Sequence, residues 1–446
     1  MASSKISRTQ AQNSTTKVTI SAWVKRGSLG GDSGQTICAS FYSTGYYGVL
    51  RFDNSDRLAF RDYRGSNIMI LETNALFRDT SAWYHIVATF DGTVSSPQAK
   101  IYVNGVLQTL ATNTNYSQNQ STSWNTDYPF NIGAFNNDEY LNGSLADFYY
   151  IQGQSYDAST FGETDATTGI WKPILNPTID YSSTGTNSCH LKFEDASNLD
   201  LDSGDNNLTF STSGTPTQTK DCPSNNYPTI NINAGKATEY LNSTGLRYGN
   251  TQPNQHNNNA VFISTLANTT GKYYWEMLID AVGYTTQGII TYDALIQNGG
   301  GTYLYTPATG YGYVYTGNKG NNNSQVSYGD SYTSGDYISV AFDQTNGSIW
   351  FAKNGVWQNS ATTAEIGAGT TTNSAYSSMP TNGEVYAAAF GLDNNAVTSI
   401  NYGNGTFGTT TLSTTYSPTV GDTGAKFKYN IIPTGFTAIS TKGYNA

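Results

Sequence analysis

Hydrophobic and polar residues alternate with a period of two along most of this chain. In "KVTISAWVKR" the apolar Val18, Ile20, Ala22 and Val24 are interleaved with Thr19, Ser21 and Trp23, the spacing that sends successive side chains to opposite faces of a strand. "WYHIVATFD" repeats it, with Tyr84, Ile86, Ala88 and Phe90 on one face and Trp83, His85, Val87 and Thr89 on the other. In "AKIYVNGVLQ" Ile101 and Val103 flank Tyr102 and lead into Asn104-Gly105, a pair suited to the two positive-φ positions of a type I′ hairpin turn. "YYGVLRF" and "RLAFRDY" on either side of Asn54-Ser55-Asp56, then "PFNIGAF" and "GSLADFYYIQG", complete a first set of strands. Short strands with turn signals at this spacing predict a sandwich or jelly roll.

After Trp171 the pattern thins. "KPILNPTIDYSSTGTNS" reads as a connector, "CHLKFEDASNLDLDSGDNNLTFS" as a β-hairpin with an acidic loop, and "GTPTQTKDCPSNNYPT" as a second irregular stretch. A new set of strands then begins. "KYYWEMLID" alternates Tyr273, Trp275, Met277 and Ile279 with Tyr274, Glu276 and Leu278, and "TYLYTPATGYGYVYTG" alternates tyrosine with small residues. "DYISVAFDQTNGSIWFAKNGVWQ" puts Ile338, Val340 and Phe342 on one face, answered by Ile349 and Phe351, before Asn354-Gly355 turns the chain. "EVYAAAFGL", "TSINYG" and "FKYNIIPTGFTAIS" read as closing strands. The expected fold is all-β: antiparallel, jelly-roll-like β-sandwich domains at residues 1–175 and 228–446, joined by an irregular connector, residues 176–227, that carries a β-hairpin. One phrase stands in both domains: a strand ending in Phe-Asp, a turn, a partner strand, Asn-Gly-Val, and a final Gln108 or Gln358. Local β-hairpin physics accounts for that echo as well as common descent does.

Composition sharpens this reading. Only 12% of the 446 residues are charged, 13% are aromatic and 34 are tyrosine, so the chain is poor in strong helix formers yet rich enough in aromatics to build cores. A net charge of −10 argues against nucleic acid, whose phosphates call for clustered Lys and Arg. No stretch approaches the ~20 apolar residues of a membrane span, so no membrane insertion is expected. "MASSKISRTQAQNSTTK" lacks an apolar core, and no secretory leader is expected. Cys38, Cys189 and Cys222 are too few for a disulfide framework and are expected as unpaired thiols, a Cys189–Cys222 pair being the alternative.

Candidate chemistry is thin. Of His85, His190 and His256, His85 sits mid-strand, and no Gly-x-Ser-x-Gly elbow or comparable triad signal accompanies any of them. The chain is therefore expected not to be an enzyme. "DLDSGDNN" offers Asp200, Asp202, Asp205, Asn206 and Asn207, and Asn136 to Glu139 offer a second set, hard oxygen donors of the kind calcium takes. Such clusters are also turn formers. Calcium is the one cofactor the sequence raises as a candidate. Sugar recognition needs aromatic faces and polar groups on loops held by a rigid scaffold. The candidates are Tyr42, Tyr46 and Tyr47 in "FYSTGYYG", Trp124 and Tyr128 in "STSWNTDY", and Tyr311, Tyr313, Tyr315 and Asn321 in "GYGYVYTGNKGNNN".

On "TISAWVKRG", "WYHIVATFDGT", "AKIYVNGVLQ", "NIGAF" and "LNGSLADFYYIQGQ", residues up to about 173 resemble laminin-G-like, concanavalin-A-like domains. On "GKYYWEM", "GYGYVYTGN", the second hairpin and "EVYAAAFG", residues from about 228 resemble a SPRY domain. The order of the two, joined through "FGETDATTGIWKPI" and "DCPSNNYPTINI", is similar to virion proteins of tailed bacteriophages, especially those of marine and cyanobacterial hosts. That resemblance implies a structural protein on the virion surface, in a fibre, tail appendage or capsid decoration, assembled in the host cytoplasm and released by lysis. Its implied partners are other virion proteins and a host surface glycan, and exposed sheet edges favour a homo-oligomer. A purely architectural subunit is the alternative, and a polysaccharide depolymerase, acting through opposed carboxylates, the third reading.

Overall fold

The strand Lys17–Arg26 buries Val18, Ile20, Ala22 and Val24 in one apolar core, as its alternation requires. The computed structural model describes residues 4–13, 16–30, 34–95, 98–120, 122–181, 186–231, 234, 247–249, 260–297, 302–393 and 395–444. The chain divides into two units, Met1–Gln218 and Thr219–Ala446.

The first unit is a sandwich of two main antiparallel sheets, with a further two-stranded sheet, Gly162–Thr164 and Trp171–Pro173. One has eight strands in the order Leu110–Thr114, Asn67–Thr73, Leu58–Arg64, Tyr46–Phe52, Gln35–Ser43, Pro129–Ile132, Lys5–Thr9 and Ser211–Ser213. The other has six: Cys189–Leu191, Gly143–Gln152, Lys17–Arg26, Trp83–Asp91, Ala99–Val103 and Val106–Leu107. Leu50, Phe52, Phe60 and Leu71 from the first meet Ile86, Ala88, Phe90 and Ile101 from the second. Val87, Tyr149 and Ile151 point the other way and pack against Ala158 and Phe161 of the following segment.

The expected connector hairpin does not form. Cys189–Leu191 pairs with Gly143–Gln152, whereas Ser211–Ser213 pairs with Lys5–Thr9. The two would-be partners become edge strands of different sheets. The acidic loop between them is held by Asp202, whose Oδ1 accepts N–H bonds from His190 and Gly204 (2.9 Å each) and whose Oδ2 accepts one from Leu208 (2.8 Å). Residues 176–218 therefore belong to the first unit, and the boundary falls inside the segment read as connector.

The second unit is built on two main sheets, antiparallel but for one strand pair, with a further two-stranded sheet, Thr406–Phe407 and Thr410–Thr411. The strands Arg247–Gly249, Val397–Asn401, Lys272–Ala281, Tyr337–Asp343, Ser348–Lys353 and Val356–Trp357 lie side by side, with Thr437–Ala438 pairing parallel to Lys272–Ala281. The second sheet runs Ala260–Asn268, Tyr386–Asp393, Tyr284–Thr291, Gly310–Val314, Asn318–Asn321 and Ser324–Ser327. Two local expectations are corrected here. Within "TYLYTPATGYGYVYTG" only Gly310–Val314 is a strand, and a short helix, Tyr292–Gln297, precedes it. In the C-terminal segment only Thr437–Ala438 is a strand, because much of the rest packs over the outer face of Lys272–Ala281, with Phe427 edge-on to Tyr274 at 4.8 Å.

Candidate functional site

Neighbouring strands of the eight-stranded sheet place Phe41, Tyr47 and Tyr63 in register, on the face turned away from the core. The Tyr47 and Tyr63 rings stack at 5.3 Å with 16° between planes. Phe135, from the loop after Pro129–Ile132, stands edge-on to both Tyr47 and Phe41 at 4.9 Å. Burial raises the Tyr47 phenol above its ordinary range, so it remains a neutral donor at physiological pH. Beside the rings, Arg51 reaches Glu139 at 2.5 Å, and Arg61 pairs with Glu72, which also accepts from Thr112 Oγ1 at 2.8 Å. These two guanidinium groups each have a carboxylate partner on the same face. At the end of the Gln35–Ser43/Tyr46–Phe52 hairpin, Tyr42 is 66% exposed and stacks on Tyr128 at 5.1 Å and 25°, while Tyr46 is 45% exposed. The structure thus joins the two loops that supplied Tyr42 and Tyr128, which lie far apart in sequence.

Sequence reasoning missed Phe41, Tyr63, Phe135 and the two ion pairs. Tyr63 was within reach, since folding the chain about Asn54-Ser55-Asp56 sets it opposite Tyr47. Phe135 was not, because its loop has no period.

Other candidates are corrected. Trp124 is fully buried, tilted against Phe60 at 5.3 Å and seated on Gly48, where a Cβ would lie 2.5 Å from the indole. It is core, because the small residue in "YYG" leaves the space it fills. Tyr313 is also fully buried, stacked on Phe351 at 5.5 Å, and Tyr311 is buried edge-on to Tyr376 at 5.1 Å. Both belong to the core cluster of the second unit. Asn321 donates to the carbonyls of Ala308 and Gly310 (2.8 and 2.9 Å), fixing its own loop. Tyr315 is half-buried and meets Tyr284 edge-on at 5.3 Å.

The calcium candidates do not converge. Asp202 spends both oxygens on backbone N–H groups, Asp200 accepts from Thr212 Oγ1 at 2.8 Å, Asn206 donates to the Ser188 carbonyl at 2.9 Å, and Asp205 is exposed. In the other loop Glu139 is taken by Arg51. Among the described residues no three His, Cys, Asp or Glu side chains gather as a metal site. Turn formation explains these clusters. Cys38 and Cys189 are buried free thiols and Cys222 is a half-buried one.

His85 is buried between Trp23, stacked at 4.8 Å, and Trp171, whose Nε1–H donates to His85 Nδ1 at 3.0 Å. Its Nε2 then carries the proton and donates to Ser21 Oγ at 2.9 Å. Burial pushes its pKa down to about 4, against a weaker opposing pull from Asp147. His190 Nε2 lies 2.6 Å from Asp147, with the imidazole stacked on Tyr149 at 3.8 Å. His256 lies outside the described residues.

Residues 2–153 match the family described as the concanavalin A-like lectin/glucanases superfamily, and residues 272–405 match the SPRY domain. The chain joins a concanavalin A-like domain to a SPRY domain. The aromatic face around Tyr47 and the Tyr42–Tyr128 stack belong to the concanavalin A-like domain. Among solved structures, the SPRY domain of human HERC1 shares 18% identity, covering 35% of this chain and 87% of its own, with a TM-score of 0.26. A heptameric SAP-like pentraxin from Limulus polyphemus shares 14% identity over 41% and 89% of the two chains, with a TM-score of 0.28. Domain 4 of the Geobacillus stearothermophilus arabinanase AbnA shares 16% identity over 34% and 68%, with a TM-score of 0.27. No curated protein matches the chain.

Proposed function

We propose that this chain is a non-enzymatic surface protein of a tailed-phage particle, adhering to host surface glycans through the aromatic face of its concanavalin A-like domain. The observation that carries the adhesive reading is the Tyr42–Tyr128 stack, whose exposed Tyr42 ring ends the hairpin that also carries Tyr47 of the Tyr47–Tyr63 stack. Sugar rings lay apolar C–H faces on such aromatics, while their hydroxyls find polar partners at the edges. Arg51–Glu139 and Arg61–Glu72 supply those partners without net charge. The virion placement, in a fibre, tail appendage or capsid decoration, is supported by the order of the two domains. Self-association is supported by Val106 and Leu107, both exposed on an edge strand.

The isolated chain, incubated with host envelope fragments and with depleted particles, distinguishes the readings. Adhesion to the envelope is expected. Adhesion to particles alone would replace this reading with an architectural subunit, and release of reducing ends would replace it with a depolymerase.

A further inference from the structure

The SPRY domain holds a second aromatic cluster that the adhesive face does not involve. Tyr303 and Tyr305 lie nearly parallel, 5° apart at 5.3 Å. Tyr284 is 4.7 Å from Tyr303 and edge-on to Tyr315 at 5.3 Å. The Tyr284 and Tyr305 hydroxyls meet at 2.8 Å, and Gln325 Nε2 donates to both, at 3.1 and 2.7 Å. Gln325 Oε1 in turn accepts from Asn318 Nδ2 at 3.3 Å. Tyr305 is buried because Gly320 has no side chain, and a Cβ there would lie 2.6 Å from the ring. Tyr284, Tyr303 and Tyr315 remain half-buried, and among the described residues the Tyr303 and Tyr315 hydroxyls find no hydrogen-bond partner.

The cluster is anchored at one ring, braced by an amide network, and open at two hydroxyl-bearing rings. Lys319, the nearest cation in sequence, turns to the opposite side of its strand and donates to the Ala375 carbonyl at 2.6 Å. With phenols and amides only, the cluster offers an anion no charge-assisted bond. It does offer stacking area and neutral donors and acceptors. We propose that Tyr284, Tyr303 and Tyr315, with Gln325 and Asn318, form a second binding site on this chain, for a neutral saccharide. This site does not depend on the adhesive face of the first domain.

Calorimetric titration of the full chain with maltohexaose, laminarihexaose and agarohexaose, and with oligogalacturonate as the charged comparison, tests the proposal. At least one neutral hexaose is expected to bind, with Tyr303→Ala weakening that binding tenfold or more and Tyr303→Phe holding it within threefold. Tyr315→Ala, at a ring touching only Tyr284 among the described rings, is a second variant against misfolding, and near-UV circular dichroism checks both. The combined Tyr42→Ala/Tyr128→Ala variant should leave this binding intact. Three results would overturn the proposal: no neutral hexaose binds; only oligogalacturonate binds; or neutral binding survives Tyr303→Ala and Tyr315→Ala and disappears with Tyr42→Ala/Tyr128→Ala. The last of these would leave the adhesive face standing.

Discussion

Glu276 accepts backbone N–H bonds from Lys428 (2.7 Å) and Tyr429 (3.0 Å) and a hydroxyl bond from Tyr274 (3.0 Å), fastening the C-terminal segment to the sheet. Burial nevertheless dominates, pushing its carboxyl from an ordinary 4.5 up to about 7. A raised acid pKa means the folded state binds the proton more tightly. Its contribution is therefore fully present below about 4.5 and is lost as pH rises through 7, on the order of 3 kcal/mol at most. Thermal melts between pH 4.5 and 8 should show the second unit's transition falling with pH, with a shallower slope in Glu276→Gln. His85 works in the opposite direction. Its depressed pKa favours the neutral folded form, so its stabilisation holds above 6.5 and is lost as pH falls through about 4. Imidazole NMR titration should find it neutral down to pH 5; protonation near 6.5 would contradict its burial between the two tryptophans. At Gly48 the expected effect is steric. Gly48→Ala drives a methyl into the Trp124 indole and should destabilise the first unit by about 1–3 kcal/mol, read as a lower denaturation midpoint.

The two hairpins that echo each other in sequence repeat down to single hydrogen bonds. Asn104 Oδ1 accepts the His85 N–H and Asn354 Oδ1 the Tyr337 N–H, each at 2.8 Å. Asn104 and Asn354 have φ of 48° and 49°, and Gly105 and Gly355 have 79° and 81°. Lys17 and Lys272 pair with Asp91 and Asp343, at 3.0 and 3.1 Å. Gln108 and Gln358 each return their side chain to the carbonyl of Val106 or Val356 at 2.9 Å. Each turn glycine lies under an aromatic, Trp171 over Gly105 and Tyr429 over Gly355. Asn104→Ala and Asn354→Ala both lose a clamp and force alanine into left-handed backbone, so each should cost about 1–3 kcal/mol in its own unit. Equilibrium denaturation followed separately for the two transitions checks this; an effect at one turn only would break the equivalence. These elements were legible because every part is local: a period of two, a turn pair, a charge at each strand end. The C-terminal segment was not, because Phe427 and the Lys428 amide are held by Tyr274 and Glu276, some 150 residues away in sequence. Trp124 misled for the same reason. Its sequence neighbours are polar, and only the fold brings Gly48 and Phe60 to it.

As a whole, the molecule combines two all-β units, a net charge of −10 and 34 tyrosines, many of them buried in the cores. Its fold was readable from periodicity and its domain families from short motifs. The aromatic face was half readable: the sequence offered Tyr42, Tyr46, Tyr47 and Tyr128, and cross-strand register added Phe41, Tyr63 and Phe135. Adhesion through that face is the central claim, and it is tested most directly by binding of the full chain to immobilised host envelope polysaccharide, with wild type beside Tyr42→Ala/Tyr128→Ala. Tyr42 is exposed and Tyr128 half-buried, neither belonging to the core, so the double variant should keep its melting transition and lose binding tenfold or more, about 1.4 kcal/mol or above. Unchanged binding by a well-folded double variant would contradict the claim.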